Sequence, residues 1–137
     1  MEPIDLNAFR RDFNALRKAG VEYGWGVKVT SDTPPNVIDS IDCSGFVKYV
    51  YGHFGVQLPR VSFQQANAGQ RIDRGQALPG DIISWDNSSR NNGADHVAMY
   101  IGGGKIMEFY ASGKPSRIRQ LGKNENYAVT RIKLPGE

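Results

Sequence analysis

The chain has 137 residues, of which 39% are hydrophobic and 23% are charged. This balance is typical of a single globular domain over residues 1–137 and excludes a disordered chain, because disordered chains lack the apolar residues that form a core. Seventeen basic and fourteen acidic residues leave a formal charge of +3. Since no run of five like charges occurs, a dedicated nucleic-acid surface is not expected.

The N-terminal residues 1–13 place acidic residues ahead of a basic pair and contain no long apolar run. We therefore expect neither a secretory signal peptide nor insertion into a membrane. At the other end, residues 134–137 include a proline and a glycine, which predicts the start of a linker near residue 135.

Helical patterns occupy the first half of the chain. The first predicted helix covers residues 5–18, with an apolar stripe formed by Leu6, Phe9, Phe13 and Leu16. The polar, proline-bearing residues 31–40 are predicted to be loop. A second helix begins at Cys43, because Asp42 stands where an N-cap belongs and apolar residues recur at helical spacing after it. A third, shorter helix is predicted over residues 62–68.

Strand patterns occupy the second half. The predicted strands cover residues 82–85, 96–101, 105–110 and 128–134, with a hairpin turn at the three glycines 102–104. Residues 86–95 form a polar loop between the first two of these strands. Helices that precede strands in this way favour an α+β fold with helices packed on a central antiparallel sheet.

Cys43 is the only cysteine, which excludes an internal disulfide and a cysteine-based metal site. We expect no metal and no cofactor. A lone cysteine is often a small core residue. Here, however, it lies at a predicted helix start, where the helix dipole and unpaired N–H groups stabilise a thiolate. The small residues that follow it would let a substrate approach, so the position favours a nucleophile.

A cysteine nucleophile needs a base, and the chain has two histidines. His53 lies ten residues beyond Cys43 on the same predicted helix, roughly 15 Å away at 1.5 Å per residue. It is therefore predicted to be a surface or helix-end residue. His96 begins a strand directly after a loop, so its ring can stand at the rim of the sheet and face the helix start. His96 is the predicted base.

A third group should orient the base, and Glu108 is the predicted one. Pairing around the glycine turn is expected to bring residues 107–109 opposite His96 and Val97. The alternatives are that Glu108 is an edge-strand residue facing solvent, or that Asp86 or Asp95 in the preceding loop takes the role.

Five motifs in order resemble the NlpC-type bacterial cell-wall peptidases, a papain-like family of cysteine hydrolases. They are Tyr23-Gly24-Trp25-Gly26, Asp42-Cys43-Ser44-Gly45-Phe46-Val47, Arg60-Val61-Ser62-Phe63-Gln64-Gln65, Leu78-Pro79-Gly80-Asp81-Ile82 and His96-Val97-Ala98-Met99-Tyr100-Ile101-Gly102. The resemblance implies a papain-like core. It also implies that the Tyr23 hydroxyl and the Cys43 backbone N–H face the oxyanion, and that the substrate contacts Asp42, Ser44, Ser62 and Trp25. In this family the third catalytic position is most often His, sometimes Asn or Gln, whereas here it is Glu108.

The same resemblance implies a peptidoglycan hydrolase that acts through a cysteine thioester on cell-wall stem peptides, as a monomer. The expected bond joins γ-D-glutamate to a diamino acid. Alternatives are an N-acetylmuramoyl-L-alanine amidase, a cross-bridge endopeptidase or a non-catalytic wall-binding module. Action in the periplasm or outside the cell is expected, with export by a holin, by a secretion machine or within a longer lytic protein. A phage endolysin, a housekeeping hydrolase and a delivered toxin all remain open as roles.

Overall fold

The computed structural model describes residues 6–24, 29–35, 38, 40–86, 95–111 and 113–135. Its helices are α1 Leu6–Lys18, α2 Cys43–His53 and α3 Ser62–Ala66, with a short 3₁₀ helix at Arg74–Gln76. Its strands are β1 Glu22–Tyr23, β2 Ser40–Ile41, β3 Gln70–Ile72, β4 Ile82–Trp85, β5 His96–Gly102, β6 Lys105–Glu108, β7 Arg117–Gln120 and β8 Tyr127–Arg131.

Six of these strands form one antiparallel sheet in the order β3-β8-β4-β5-β6-β7. The two-residue strands β1 and β2 form a separate parallel pair. The predicted α+β architecture, with helices ahead of an antiparallel sheet, is confirmed. No helix among the described residues is long and apolar enough to cross a membrane.

Helix α2 packs on β5 at the centre of the larger of two apolar clusters. Phe46, which is fully buried, contacts two other aromatic rings, with centroid distances of 6.0 Å to Phe13 and 5.2 Å to Phe109. Edge-on and tilted ring pairs of this kind add to the free energy gained by burial. The packing fixes α2 against the sheet and so fixes the position of its first residue, Cys43.

A smaller apolar cluster lies apart from that core and includes Ile83, Trp85, Ala98 and Ile106. These residues alternate along β4, β5 and β6 with residues of the larger cluster, as period-two strands require. Trp85, Ala98 and Ile106 therefore mark the face of the sheet that points away from α2.

Several predicted boundaries differ from the structure. Ser40, expected in a loop, pairs in β2, and strands β3 and β7 were not predicted. Their patterns are too short or too polar to stand out, since β7 reads Arg-Ile-Arg-Gln. Helix α3 ends at Ala66, β6 ends at Glu108, and β8 covers Tyr127–Arg131.

The expected register of the β5–β6 hairpin was wrong. Met107 lies opposite Met99, not opposite His96 or Val97. The cause is the position of the turn, because Gly102, Gly103 and Gly104 all have positive φ and a register shift follows Tyr100. Continued along the strands, this register places Glu108 diagonally across from His96, a separation that a long side chain spans.

Phe46→Ala is expected to lower the free energy of unfolding by about 3–5 kcal/mol, because it opens a cavity between Phe13 and Phe109. Urea denaturation followed by fluorescence measures this loss. Val61→Ala is the matched control. Val61 is 39% exposed, so its loss should stay within about 0.5 kcal/mol. Equal losses in the two variants would contradict the placement of Phe46 at the centre of the core.

Candidate active site

The N-terminus of α2 is fixed by its cap. Asp42 Oδ1 accepts a hydrogen bond from the Gly45 backbone N–H at 2.7 Å, which satisfies one of the unpaired donors of the first turn. A Cβ at residue 45 would lie 2.7 Å from that same oxygen, so the close approach requires glycine. Cys43 is therefore the first residue of α2, as predicted, and it is 5% exposed.

Arg60 ties the residues on both sides of Cys43 together. Its Nη2 donates to Asp42 Oδ2 at 2.9 Å and its Nη1 donates to Ser44 Oγ at 2.9 Å. Gln65, in the same motif, donates to the Ser44 carbonyl at 2.9 Å. Arg60 was not among the predicted site residues, although it lies in one of the five motifs. Asp42 and Ser44, both predicted to bind substrate, thus lie in an internal network.

The pairing of β1 with β2 brings Tyr23 close to Cys43. Tyr23 is in register with Ile41, two residues before Cys43, and its backbone also bonds to the 113–114 segment. Burial, and after it the proximity of Cys43 and Asp42, raise the pKa of Tyr23 to about 12, while Arg60 has a weaker effect in the opposite direction. The hydroxyl therefore stays protonated and available as a hydrogen-bond donor at neutral pH.

His96 is the first residue of β5, and its ring lies close enough to Cys43 for the two side chains to interact. Its Nε2 lies 2.8 Å from Glu108 Oε1, which leaves Nδ1 as the ring nitrogen for the thiol. Burial alone would lower the pKa of His96. The interactions of the ring with Cys43 and with the Glu108 carboxylate outweigh burial and raise that pKa to about 9.

Glu108 is buried, with 1% of its surface exposed, so the alternative of a solvent-facing edge glutamate was wrong. Its second oxygen, Oε2, accepts from Arg117 Nε at 2.7 Å and from Arg119 Nε at 2.8 Å. Burial by itself would raise the pKa of Glu108. Hydrogen bonds from His96, Arg119 and Arg117 outweigh it and lower that pKa to about 2. The carboxylate is thus ionised throughout the physiological range.

The other predicted site residues are placed as follows. Ser62 begins α3 and is half-buried, and Asp86 is exposed. Asp95 is half-buried just before His96, and its backbone N–H donates to the Trp85 carbonyl. Trp25 and most of the 86–95 loop lie outside the described residues. His53 ends α2 and pairs with Asp12 at 2.7 Å.

The arrangement contains the parts that nucleophilic catalysis requires: a thiol at a helix start, an imidazole beside it and a carboxylate behind the imidazole. Sequence reasoning missed the arginines behind that carboxylate. The available signal was Arg117-Ile118-Arg119, whose spacing puts both guanidinium groups on one face of a strand. No group of three or more possible metal ligands occurs among the residues that the structure describes.

Comparison with known proteins gives a consistent result. The model of the NlpC/P60 family matches residues 20–132. Probable endopeptidase p60 of Listeria innocua is 36% identical over 99 residues, which cover 72% of this chain and 19% of that protein. Peptidoglycan endopeptidase RipB of Mycobacterium tuberculosis is 35% identical over 105 residues, which cover 72% of this chain and 41% of RipB. The chain thus spans about a fifth of the length of p60 and about two fifths of the length of RipB.

Solved structures agree with this fold. The P60 domain of an antigen from M. avium subspecies paratuberculosis has a TM-score of 0.72 and 31% identity, covering 92% of this chain and 95% of that one. RipD of M. tuberculosis, described as a non-catalytic NlpC/p60 domain protein adapted to peptidoglycan binding, has a TM-score of 0.69 and 25% identity, covering 92% and 98%. On this sequence and structural similarity, the chain belongs to the NlpC/P60 family.

Proposed function

We propose that this chain is a peptidoglycan hydrolase that cleaves an amide bond of cell-wall stem peptides with Cys43 as nucleophile. The observation that carries the proposal is the continuous line of contacts from Cys43 to His96 to the ionised, buried Glu108. Two relatives named as endopeptidases, one of them a peptidoglycan endopeptidase, support the choice of substrate.

In the proposed first half-reaction, the Cys43 thiolate attacks the amide carbonyl carbon and forms a tetrahedral oxyanion. The C–N bond then breaks, a thioester forms, and protonated His96 gives its proton to the leaving amine. In the second half-reaction, neutral His96 takes a proton from water, and the resulting hydroxide attacks the thioester. The carboxylic acid product leaves and Cys43 returns to its starting state. Glu108 holds the His96 ring and stabilises its protonated form.

The oxyanion is proposed to lie between two donors. One is the backbone N–H of Cys43, which at the first position of α2 has no partner within the helix. The other is the hydroxyl of Tyr23, whose raised pKa keeps it protonated. Donors of this kind act on charge that develops only during the reaction.

The proposed bond joins γ-D-glutamate to the diamino acid, which is the expectation of the family resemblance. Mass spectrometry of a muropeptide digest separates this bond from those cut by an amidase or a cross-bridge endopeptidase, because each cleavage leaves a different new terminus. RipD shows that a domain of this fold can serve binding alone, so unchanged muropeptides would favour a wall-binding module. The genomic neighbourhood would separate a phage endolysin from a housekeeping hydrolase or a delivered toxin.

Cys43→Ala and His96→Ala should each lower hydrolysis of purified sacculi by about 10³-fold or more, because each removes a reacting group. Turbidity loss and release of soluble muropeptides measure this. The matched control is His53→Ala, which removes the other histidine and its contact with Asp12. The control should retain activity, and full lysis by Cys43→Ala would overturn the proposed mechanism.

Tyr23→Phe should lower kcat by about 10²-fold with little change in KM, because the lost hydroxyl stabilises the oxyanion more than the bound substrate. Steady-state kinetics on a defined muropeptide would measure both constants. The rate of Cys43 alkylation by iodoacetamide serves as the control and should stay near the wild-type rate. Unchanged kcat in this variant would remove Tyr23 from the oxyanion site.

The pH profile of kcat/KM should fall as pH rises through about 9, because His96 must be protonated to release the amine and its pKa is about 9. Glu108 does not titrate on this limb, since its pKa is about 2. Glu108→Gln removes the negative charge that favours protonated His96, so the limb should move toward lower pH by about one unit. A limb that stays near pH 9 in this variant would contradict the role of Glu108.

A further inference from the structure

Contacts around His96 close into a circuit. Glu108 bonds the ring edge, and Arg119 Nε donates to Glu108. The two terminal nitrogens of Arg119 donate to both oxygens of Glu125 at 2.9 Å each. Glu125 Oε1 in turn accepts from Trp85 Nε1 at 3.1 Å. The circuit closes because the Trp85 ring lies against the His96 ring, with centroids 5.1 Å apart and an interplanar angle of 33°.

We propose that Arg119 is a positioning residue for His96. Arg119 and Glu125 bind each other, and through Glu108 and Trp85 they hold the edge and the face of the His96 ring. Arg119 also compensates the charge of Glu108. The inference rests on the proposed function, since it assigns Arg119 a role only through His96. A fork-to-fork pair between a guanidinium and a carboxylate fixes the plane of both groups. Trp85, which is 4% exposed, transmits this constraint to the face of the imidazole.

The charges of the network cancel. Glu108 and Glu125 are ionised, and Arg117 and Arg119 are cations paired with them. Although the third catalytic position carries a glutamate, His96 therefore faces a hydrogen-bond acceptor whose charge the two arginines partly compensate. This gives a physical account of how a carboxylate serves where the resembled family most often has neutral groups.

The arrangement makes two substitutions act in opposite directions on His96. Arg119→Gln removes a cation, leaves Glu108 less compensated and should favour protonated His96. Glu125→Gln removes an anion, leaves Arg119 less compensated and should disfavour it. The shifts expected in the pKa of His96 are upward and downward by about half a unit, because the charges are separated by several ångströms and partly exposed to solvent. A role in stability alone would not give opposite signs.

The other ionisable groups near His96 remain constant in these variants. They belong to the elements that build the site and comprise Cys43 and Asp42 at the start of α2 with Arg60, Tyr23 on β1, Asp95 before β5, Glu108 on β6 and Arg117 on β7. Differences between the two variants therefore report the Arg119–Glu125 pair.

The experiment is an NMR titration of the imidazole resonances of the intact chain from pH 6 to pH 11. The chain has two histidines, so His53→Ala assigns the His96 signals. Arg119→Gln should raise the pKa of His96 and lower kcat on muropeptides about tenfold, since the base is less well held. Glu125→Gln should lower that pKa.

Arg74→Gln is the matched control. Arg74 lies against Tyr127 and donates to the backbone carbonyls of Lys123 and Glu125. Its loss therefore removes a cation that contacts the loop carrying Glu125, while the side-chain contacts of the circuit stay in place. The pKa of His96 should not change in this control.

Shifts of the same sign in Arg119→Gln and Glu125→Gln, or shifts no larger than in the control, would overturn the proposal. If Arg119→Gln does not fold, Glu125→Gln at its half-buried position still decides it, because an upward or absent shift contradicts the charge compensation. The titration needs no turnover. Its failure is therefore distinct from failure of the proposed function, which lysis by Cys43→Ala would reveal.

Discussion

Asp42 accepts the backbone N–H of Gly45, and this bond sets where α2 begins. If the helix began one residue later, Cys43 would leave the first turn, and its side chain would lose both the helix dipole and the direction toward His96. The cap also gives Arg60 a carboxylate to bind, and the bond from Arg60 to Ser44 holds the other side of the cysteine. The pairing of β1 with β2 then places Tyr23 within reach of the same turn.

The second half of the site depends on a buried carboxylate. An isolated ionised carboxylate out of water costs many kcal/mol, and real proteins avoid this cost by pairing or by protonation. Glu108 is paired on both oxygens, with His96 on one and Arg117 and Arg119 on the other. The arginines keep the carboxylate ionised, and the histidine gains a fixed acceptor. Removing the carboxylate or the arginines would leave an unpaired charge in the site. Glu108, its arginines and His96 therefore behave as one unit.

Much of this was predictable because it follows from local rules. Asp42 before an apolar helical pattern indicates a cap, so the sequence predicts the position of Cys43 without tertiary information. His96 was predictable as the start of an apolar strand after a polar loop. Local rules could not place Glu108 correctly, since its register depends on how the glycine turn and the shift after Tyr100 divide the hairpin. Its proximity to His96 was expected, but from the wrong pairing.

Strand β7 was beyond such rules for a different reason. It has four residues, two of them arginine, and arginine is not typical of strands except where tertiary contacts neutralise it. Arg117 and Arg119 are stable in β7 because Glu108 and Glu125 lie within hydrogen-bond distance. A sequence pattern shows only that two charged residues are unfavourable in a short strand. The partners that offset it come from the neighbouring strand β6 and from the loop that follows β7.

The same network bears on the difference between catalysis and binding in this fold. Buried ion pairs are weak contributors to stability, and well-packed apolar residues of similar volume often do as well or better. A domain that only binds wall polymer gains nothing from an ionised carboxylate held behind a histidine. That histidine gains a fixed tautomer, a fixed plane and a raised pKa, and each of these matters for moving a proton between a thiol and a leaving amine. The buried charges behind His96 therefore support the proposed chemistry at Cys43 more than a role in binding alone.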